Sequence, residues 1–311
     1  MPLAQRRQAQ ATTLAPSALS LRFLELGVDQ RPDNPGLRLE LARKLLQTGL
    51  LDKARYHTLI LCTYANTFGQ QARFLLVDID RAKWVAVDPR QTQARDEALT
   101  QLLSSMDLID ESRLDVSRAE QFAASYRELG QPRRAAELLD RLARRSLPDV
   151  ELRVAAADAA WLESGLPLSA AELHAWVAGG VSQRGREHAR LAIERTRDAG
   201  DLTATRAMFE RMRAKYPDDA SLLELEAKFA EEYDVKRAFN LVSLLVAQHP
   251  AELKYHREAA RLAEATGQSL RALDEYVWLV RHEGGAQDRQ RALALARANW
   301  DLPLVRELLE R

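Results

Sequence analysis

The chain has 311 residues, with 45 Lys plus Arg set against 45 Asp plus Glu, 46% apolar residues and 6% aromatic ones. Zero net charge argues against a nucleic-acid binder, which carries a basic excess, and the apolar share excludes wholesale disorder. The length suits two ordinary domains or one elongated repeat array.

Leu, Ala, Arg and Glu dominate, and Ala and unbranched side chains lose little freedom in a helix. The single cysteine, Cys62, leaves no intramolecular disulfide and no Cys-based zinc site. Its expected role is that of a small buried hydrophobe. No stretch reaches 18 apolar residues, so none reads as a membrane span. The opening MPLAQRRQAQATTLAPSALS lacks the apolar core of a signal peptide, so any targeting segment would lie outside this chain.

In chain order, Pro32 in GVDQRPDNPG closes a first helix. ARKLLQTGLLDKARY, within residues 35–65, reads as an early helical hairpin turning at Gly49, with Ala54 five residues on. Residues 66–115 read as a divergent repeat of two helices joined at Asp88-Pro89. FLLVDID and KWVAV could be strands, but their flanks are helical. From residue 116 to 311 the pattern repeats, with small residues at Ala135, Ala170, Thr205, Ala238 and Ala272, in steps of 35, 35, 33 and 34. Five residues before them stand Gly130, Gly165, Gly200, Tyr233 and Gly267, of which only Tyr233 is not glycine. ALALARANWDLPLVRELLER forms a last helical pair.

The period is that of tetratricopeptide repeats, 34 residues. Glycine ends the first helix because it accepts a left-handed backbone. The small residue lets the second helix come close. Pro217 and Pro250, each 12 residues past a small residue, stop the second helix and separate one hairpin from the next. The expected fold is therefore all-α: an α-solenoid of tetratricopeptide-like hairpins in a right-handed superhelix, one array over residues 1–311. Both ends look like cuts through a longer array, since a terminal repeat normally carries a polar cap.

Catalytic constellations are not evident. The six histidines, His57, His174, His188, His249, His256 and His282, form neither H-E-x-x-H nor an i, i+4 metal pair. His249, in the turn before Pro250, is expected to be exposed. Asp78-Ile79-Asp80 resembles the D-x-D of sugar transferases, but on a helix the two carboxylates point apart, and they read as a solvated face beside Arg81 and Lys83. Gly179-Gly180 and Gly284-Gly285 read as breaks between helices, not phosphate loops. No nucleophile elbow is present. The five tryptophans could stack on sugars, but most are expected to fill spaces between helices. The chain is read as non-enzymatic, without cofactor or metal.

Stacked hairpins offer an extended concave surface lined by their first helices. The outward positions there give the candidate protein-binding residues: Arg43, Gln47, Glu120, Arg127, Arg190, Glu194, Arg197, Lys254, Arg257 and Arg261. The last three share one helix face and could receive an acidic protein surface. Arg and Glu mixed on helices are otherwise a solvated face with weak ion pairs.

Three stretches resemble a known family. LSLRFLELGVDQRPDNPGLRLELARKLLQTGLLDKAR, QRGREHARLAIERTRDAGDLTATRAMFERMRAKYPDD, and TGQSLRALDEYVWLV with ALALARANWDLPLVRELLE are similar to the tetratricopeptide region of the PelB family, which exports the Pel exopolysaccharide across the outer membrane of Gram-negative biofilm bacteria. The resemblance implies a periplasmic scaffold, tethered to the outer membrane in the full-length protein. It implies recruitment of the polymer-modifying hydrolase/deacetylase PelA and guidance of polymer to a pore, with no catalytic residues of its own. Two other readings compete: a cytosolic peptide-binding adaptor or co-chaperone, and a surface that binds polysaccharide directly.

Overall fold

In the computed structural model, which describes residues 18–145, 149–282 and 285–310, the regular structure consists of seventeen α-helices and one 3-10 turn, with no strand among the described residues. The helices are α1 (Ala18–Gln30), α2 (Pro35–Gln47), α3 (Leu51–Cys62), α4 (Thr67–Ala86), α5 (Thr92–Met106) and α6 (Val116–Glu128). Then come α7 (Pro132–Arg145), α8 (Val150–Glu163), α9 (Pro167–Ala178), α10 (Gly185–Asp198), α11 (Leu202–Lys215) and α12 (Ala220–Glu231). The last five are α13 (Val235–Gln248), α14 (Leu253–Ala265), α15 (Ser269–Arg281), α16 (Ala286–Ala298) and α17 (Leu302–Glu310). The chain is an all-α helical solenoid, and it divides into two compact units between Gln131 and Pro132.

The hairpin corners follow the glycine pattern. Gly49, Gly130, Gly165, Gly200 and Gly267 have φ between 69° and 76°, the left-handed position just past a helix end. At Gly49 the amide donates to Leu46 O at 3.0 Å and the Leu50 amide to Leu45 O at 2.9 Å. These two bonds close the last turn of α2 and satisfy its orphan carbonyls. The same pair of bonds recurs around Gly130, Gly165 and Gly267. The small residues after the corners, Ala54, Ala135, Ala170, Thr205, Ala238 and Ala272, are all buried. Helix starts are set by short side chains that accept otherwise unpaired amides: Asn34 from Leu37, Asp115 from Arg118, Asp201 from Ala204 and Asp234 from Arg237.

In the first unit, α1 to α4 bury Leu24, Leu41, Leu45, Leu61 and Ile79 in one core. The segment read as divergent is helical: α4 and α5 flank Asp88-Pro89, FLLVDID lies inside α4, and KWVAV is its last turn up to the cap Val87. Cys62 is half-buried at the edge of that core, not inside it, and burial pushes its thiol up. In the second unit, Ile193, Phe209 and Leu222 belong to one core cluster and Phe239, Leu245, Tyr255 and Leu279 to the next. Close contacts join α7 to α8 and α9 to α10, then α12 to α13 and α14 to α15. The pairing therefore slips by one helix at α11, and α11–α12 is the sparsest consecutive contact in this unit. The corner that lacks glycine lies one helix further on, between α12 and α13. Tyr233 keeps an ordinary backbone, and the Asp234 amide closes onto Ala230 O at 2.7 Å.

Gly179 and Gly180 do separate α9 from α10; Gly284 lies outside the described residues, as does most of the opening segment read for a signal peptide. Among the described residues no helix is long and apolar enough to cross a membrane.

The last corner departs from the pattern in the opposite way. Trp300 holds the left-handed position at φ 59°, its amide donating to Arg297 O at 3.1 Å and that of Asp301 to Ala296 O at 3.0 Å. A side chain there costs about 1 kcal/mol or more, and Trp300, 84% exposed, regains little through packing. Trp300→Gly is expected to raise the stability of the chain by about 1 kcal/mol in urea unfolding; a loss of stability would show that the indole is held by contacts that outweigh the strain.

Candidate protein-interaction face

In the second unit the first helix of each hairpin is tied to the next by charge. Asp158 of α8 accepts both arms of the Arg195 guanidinium from α10, at 2.9 and 2.8 Å. Arg186 and Arg190 of α10 approach Asp219, the cap of α12, at 3.5 and 3.8 Å. Glu224 and Glu231 of α12 take Lys254 and Arg261 from α14, each at 2.7 Å. Arg257 of α14 forks onto Asp288 of α16 at 3.2 and 2.9 Å. Asp219 and Asp288 are buried, so these pairs weigh more than the exposed Lys254–Glu224 bridge. Glu226, also buried, sits between Arg213 of α11 at 3.0 Å and Arg237 of α13 at 2.8 Å.

The carboxyl groups register this pairing. Burial alone would raise Asp158, but the contacts from His174 and Arg195 outweigh it and hold the group well below the usual carboxylate range. The Arg257 hydrogen bond lowers Asp288 against the opposing effect of burial. Hydrogen bonding to Glu224 pushes the Lys254 ammonium up to about 12.

A histidine pair lies beside this ladder. His174 of α9 and His188 of α10 are buried and face each other with their Nδ1 atoms 2.8 Å apart, so one of the two donates the proton between them. On the outer sides, His188 Nε2 meets Glu151 at 2.9 Å and His174 Nε2 lies 3.3 Å from Asp158. The pair bridges α8, α9 and α10. Spacing rules for metal sites could not reveal it, because its members come from different helices. Among the described residues no group of three or more His, Cys, Asp or Glu is placed to hold a metal ion.

Of the ten residues expected on the first helices, all but Arg43, which is half-buried, are exposed. In the first unit, Arg43 is bonded to Glu40 at 2.6 Å and Gln71 at 3.1 Å, while Gln47, Glu120 and Arg127 face solvent. In the second, Arg190, Lys254, Arg257 and Arg261 are the ladder cations just described. The basic stripe expected on α14 is thus already engaged by acidic groups of neighbouring helices.

Two further expectations are corrected. Asp80 is not solvated: it is 1% exposed, bonded by Arg55 at 2.9 Å and by the Ser105 hydroxyl, whereas Asp78 is exposed. The i, i+2 spacing that separates the carboxylates turns one of them into the core. His249 is half-buried, its ring 5.8 Å from that of Tyr255. Most tryptophans are packed, as expected, and Trp300 is the exposed one. Trp161 is buried, and the half-buried Trp84, Trp176 and Trp278 already carry partners: Arg95, Arg144, and the stacked rings of His256 and His282.

Glu194 and Arg197 are brought together in a pocket of about 530 Å³. The end of α10 gives Glu194, Arg197 and Asp198; the start of α11 gives Leu202 and Thr205; the last turn of α12 gives Phe229, and the corner after it gives Glu232 and Tyr233. The Arg197 guanidinium lies 5.6 Å from the Phe229 ring, which meets Tyr233 edge-on. Tyr233 owes its place to the missing glycine, the only sequence signal that pointed here.

No family model matches the chain, and no curated protein does. Among solved structures the chain is similar to one described as Naa15/Naa10 bound to HypK-THB, with 14% identity and a TM-score of 0.35, over 95% of this chain and 50% of that one. It thus spans about half the length of that chain. It is also similar to yeast Tom70, with 11% identity and a TM-score of 0.29 over 99% and 83% of the two chains. The third is the tetratricopeptide domain of P58(IPK), with 14% identity and a TM-score of 0.26 over 99% of both.

Removing the carboxylate that two arginines share tests the structural weight of these pairs. Glu226→Ala is expected to cost about 3 kcal/mol in chemical unfolding, because it leaves two guanidiniums without their partner; a cost below about 0.5 kcal/mol, the scale of an exposed pair, would contradict this. Acid gives a second test. A carboxyl lowered by folding stabilises the protein above its unfolded pKa of about 4, and that contribution is lost as pH falls through the folded value. Asp158 and Asp288 thus predict a steady loss of stability below about pH 4, and constant stability from there down to pH 2 would refute their role.

Proposed function

We propose that the chain is a non-catalytic scaffold that docks a partner protein. The carrying observation is the row of first helices in the second unit, held in register by ion pairs between successive helices. A fixed row of helices presents side chains without the entropy loss of ordering them on binding. The resemblance to the Pel export family supports the finer reading: a periplasmic scaffold that recruits a PelA-like hydrolase/deacetylase and helps guide polymer to an outer-membrane pore. The direct polysaccharide reading gains nothing from Trp84, Trp176 and Trp278, whose rings are covered by the protein's own Arg and His side chains. A basic clamp for peptide carboxylates gains nothing from Lys254, Arg257 and Arg261, which are already paired.

Sedimentation of the chain mixed with a purified periplasmic enzyme of that hydrolase/deacetylase class tests the proposal. A saturable complex is expected, with the enzyme's turnover unaffected in kind and none contributed by the chain alone. Separate sedimentation at all concentrations would remove the partner assignment.

A further inference from the structure

His174 and His188 are 3% and 4% exposed, and their rings stack with centroids 5.1 Å apart. Their surroundings fix how many protons they carry. Glu151 lies 2.9 Å from His188 Nε2, and Asp158 lies 3.3 Å from His174 Nε2. Both carboxyls are held ionised. Burial alone would raise each, but hydrogen bonds from Ser182 and His188 outweigh it at Glu151, and those from His174 and Arg195 outweigh it at Asp158. A carboxylate only accepts, so each Nε2 carries a proton. The two Nδ1 atoms, 2.8 Å apart, hold one more between them. The pair thus binds a third proton, one more than two neutral imidazoles and one fewer than two imidazoliums.

We propose that this shared proton makes His174 and His188 a proton-sensitive latch between α9 and α10. The latch is closed with three protons on the pair. A fourth sets two N–H groups face to face with no acceptor between them. Losing the third leaves a lone pair against either the other ring's lone pair or a carboxylate. Neither state is relieved by water while the rings stay buried, so the contact must open. The charged groups around the pair are already committed. Arg184, the cap of α10, meets Glu187 at 2.7 Å and Glu151 at 3.7 Å, and Arg195 holds Asp158 and Asp198. Glu172, the other ionisable residue of α9, is exposed and takes Arg211 of α11 at 2.9 Å. Arg186 and Arg190 of α10 turn to Asp219. Because Asp158 faces both His174 and Arg195, opening the latch disturbs the ion pair that ties α8 to α10. The latch does not depend on the partner assignment above.

The sign of the effect follows from the proton count. Below about pH 6.5, the ordinary value for histidine, the unfolded chain binds more than three protons on these two residues, and above it fewer. Stability rises with pH where the unfolded state binds more protons and falls where it binds fewer. The contribution of the closed latch therefore peaks near pH 6.5. The test compares urea unfolding of the chain with that of the non-titrating variant His174→Gln with His188→Gln, from about pH 5 to about pH 8. The ratio of the two unfolding constants, original over variant, is expected to pass through a minimum near pH 6.5 and to rise about threefold one unit to either side. A flat ratio, or one that changes in a single direction, overturns the proposal. Nitrogen-15 NMR of the unmodified chain with labelled histidines counts the protons independently, and it decides the matter if the double variant does not fold. At about pH 6.5 both Nε2 atoms should be protonated and the two Nδ1 atoms should share one proton. Two neutral rings, or two fully protonated ones, at that pH overturn the latch.

Discussion

A helical hairpin has two apolar faces and can cover only one of them by itself. Every hairpin of this chain must therefore be completed by its neighbours, and most of the structure follows from that need. Glycine corners fold each helix back sharply enough for the pair to form. Small residues at Ala135, Ala170, Ala238 and Ala272 let the helices approach until no space remains beside them. Prolines 217 and 250 end the second helix where the next hairpin must begin. The charges obey the same constraint. Carboxylates drawn between helices by this packing, such as Asp80, Glu226 and Asp288, are each met by an arginine from an adjacent element. A buried charge without such a partner would destabilise the stack.

This changes the meaning of the charged first helices. Arg and Lys on an exposed helix invite a reading as a docking stripe, yet Arg190, Lys254, Arg257 and Arg261 spend their charge on neighbouring helices. The helix row is least regular around α11 and α12, where the close pairing shifts by one and Tyr233 stands in place of a glycine at the corner after α12.

The repeat was legible because its physics is local. A glycine, a small residue five positions on and a proline 12 beyond that leave a one-dimensional trace, and the structure places all three where the period of 34 requires. Even the divergent segment around Asp88-Pro89 could be read as two helices. The ion-pair ladder and the His174–His188 bridge were not legible, since their members lie 14 to 37 residues apart and meet only after the hairpins stack. Asp80 shows the same limit: helix spacing separated it from Asp78 but could not say which of the two faced inward. The pocket left one mark, Tyr233 in a column of glycines, and that mark reads as an exception to the repeat until the structure shows the ring forming a wall.

The central claim is that the ion-paired row of helices in the second unit packs least closely between α11 and α12. Native-state hydrogen exchange, resolved helix by helix on the unmodified chain, tests it most directly. The account predicts that α11 amides exchange through an opening of lower free energy than those of α10 and α12, which are held by Asp158, Asp219 and Glu231. Equal protection across all three helices would contradict the slip.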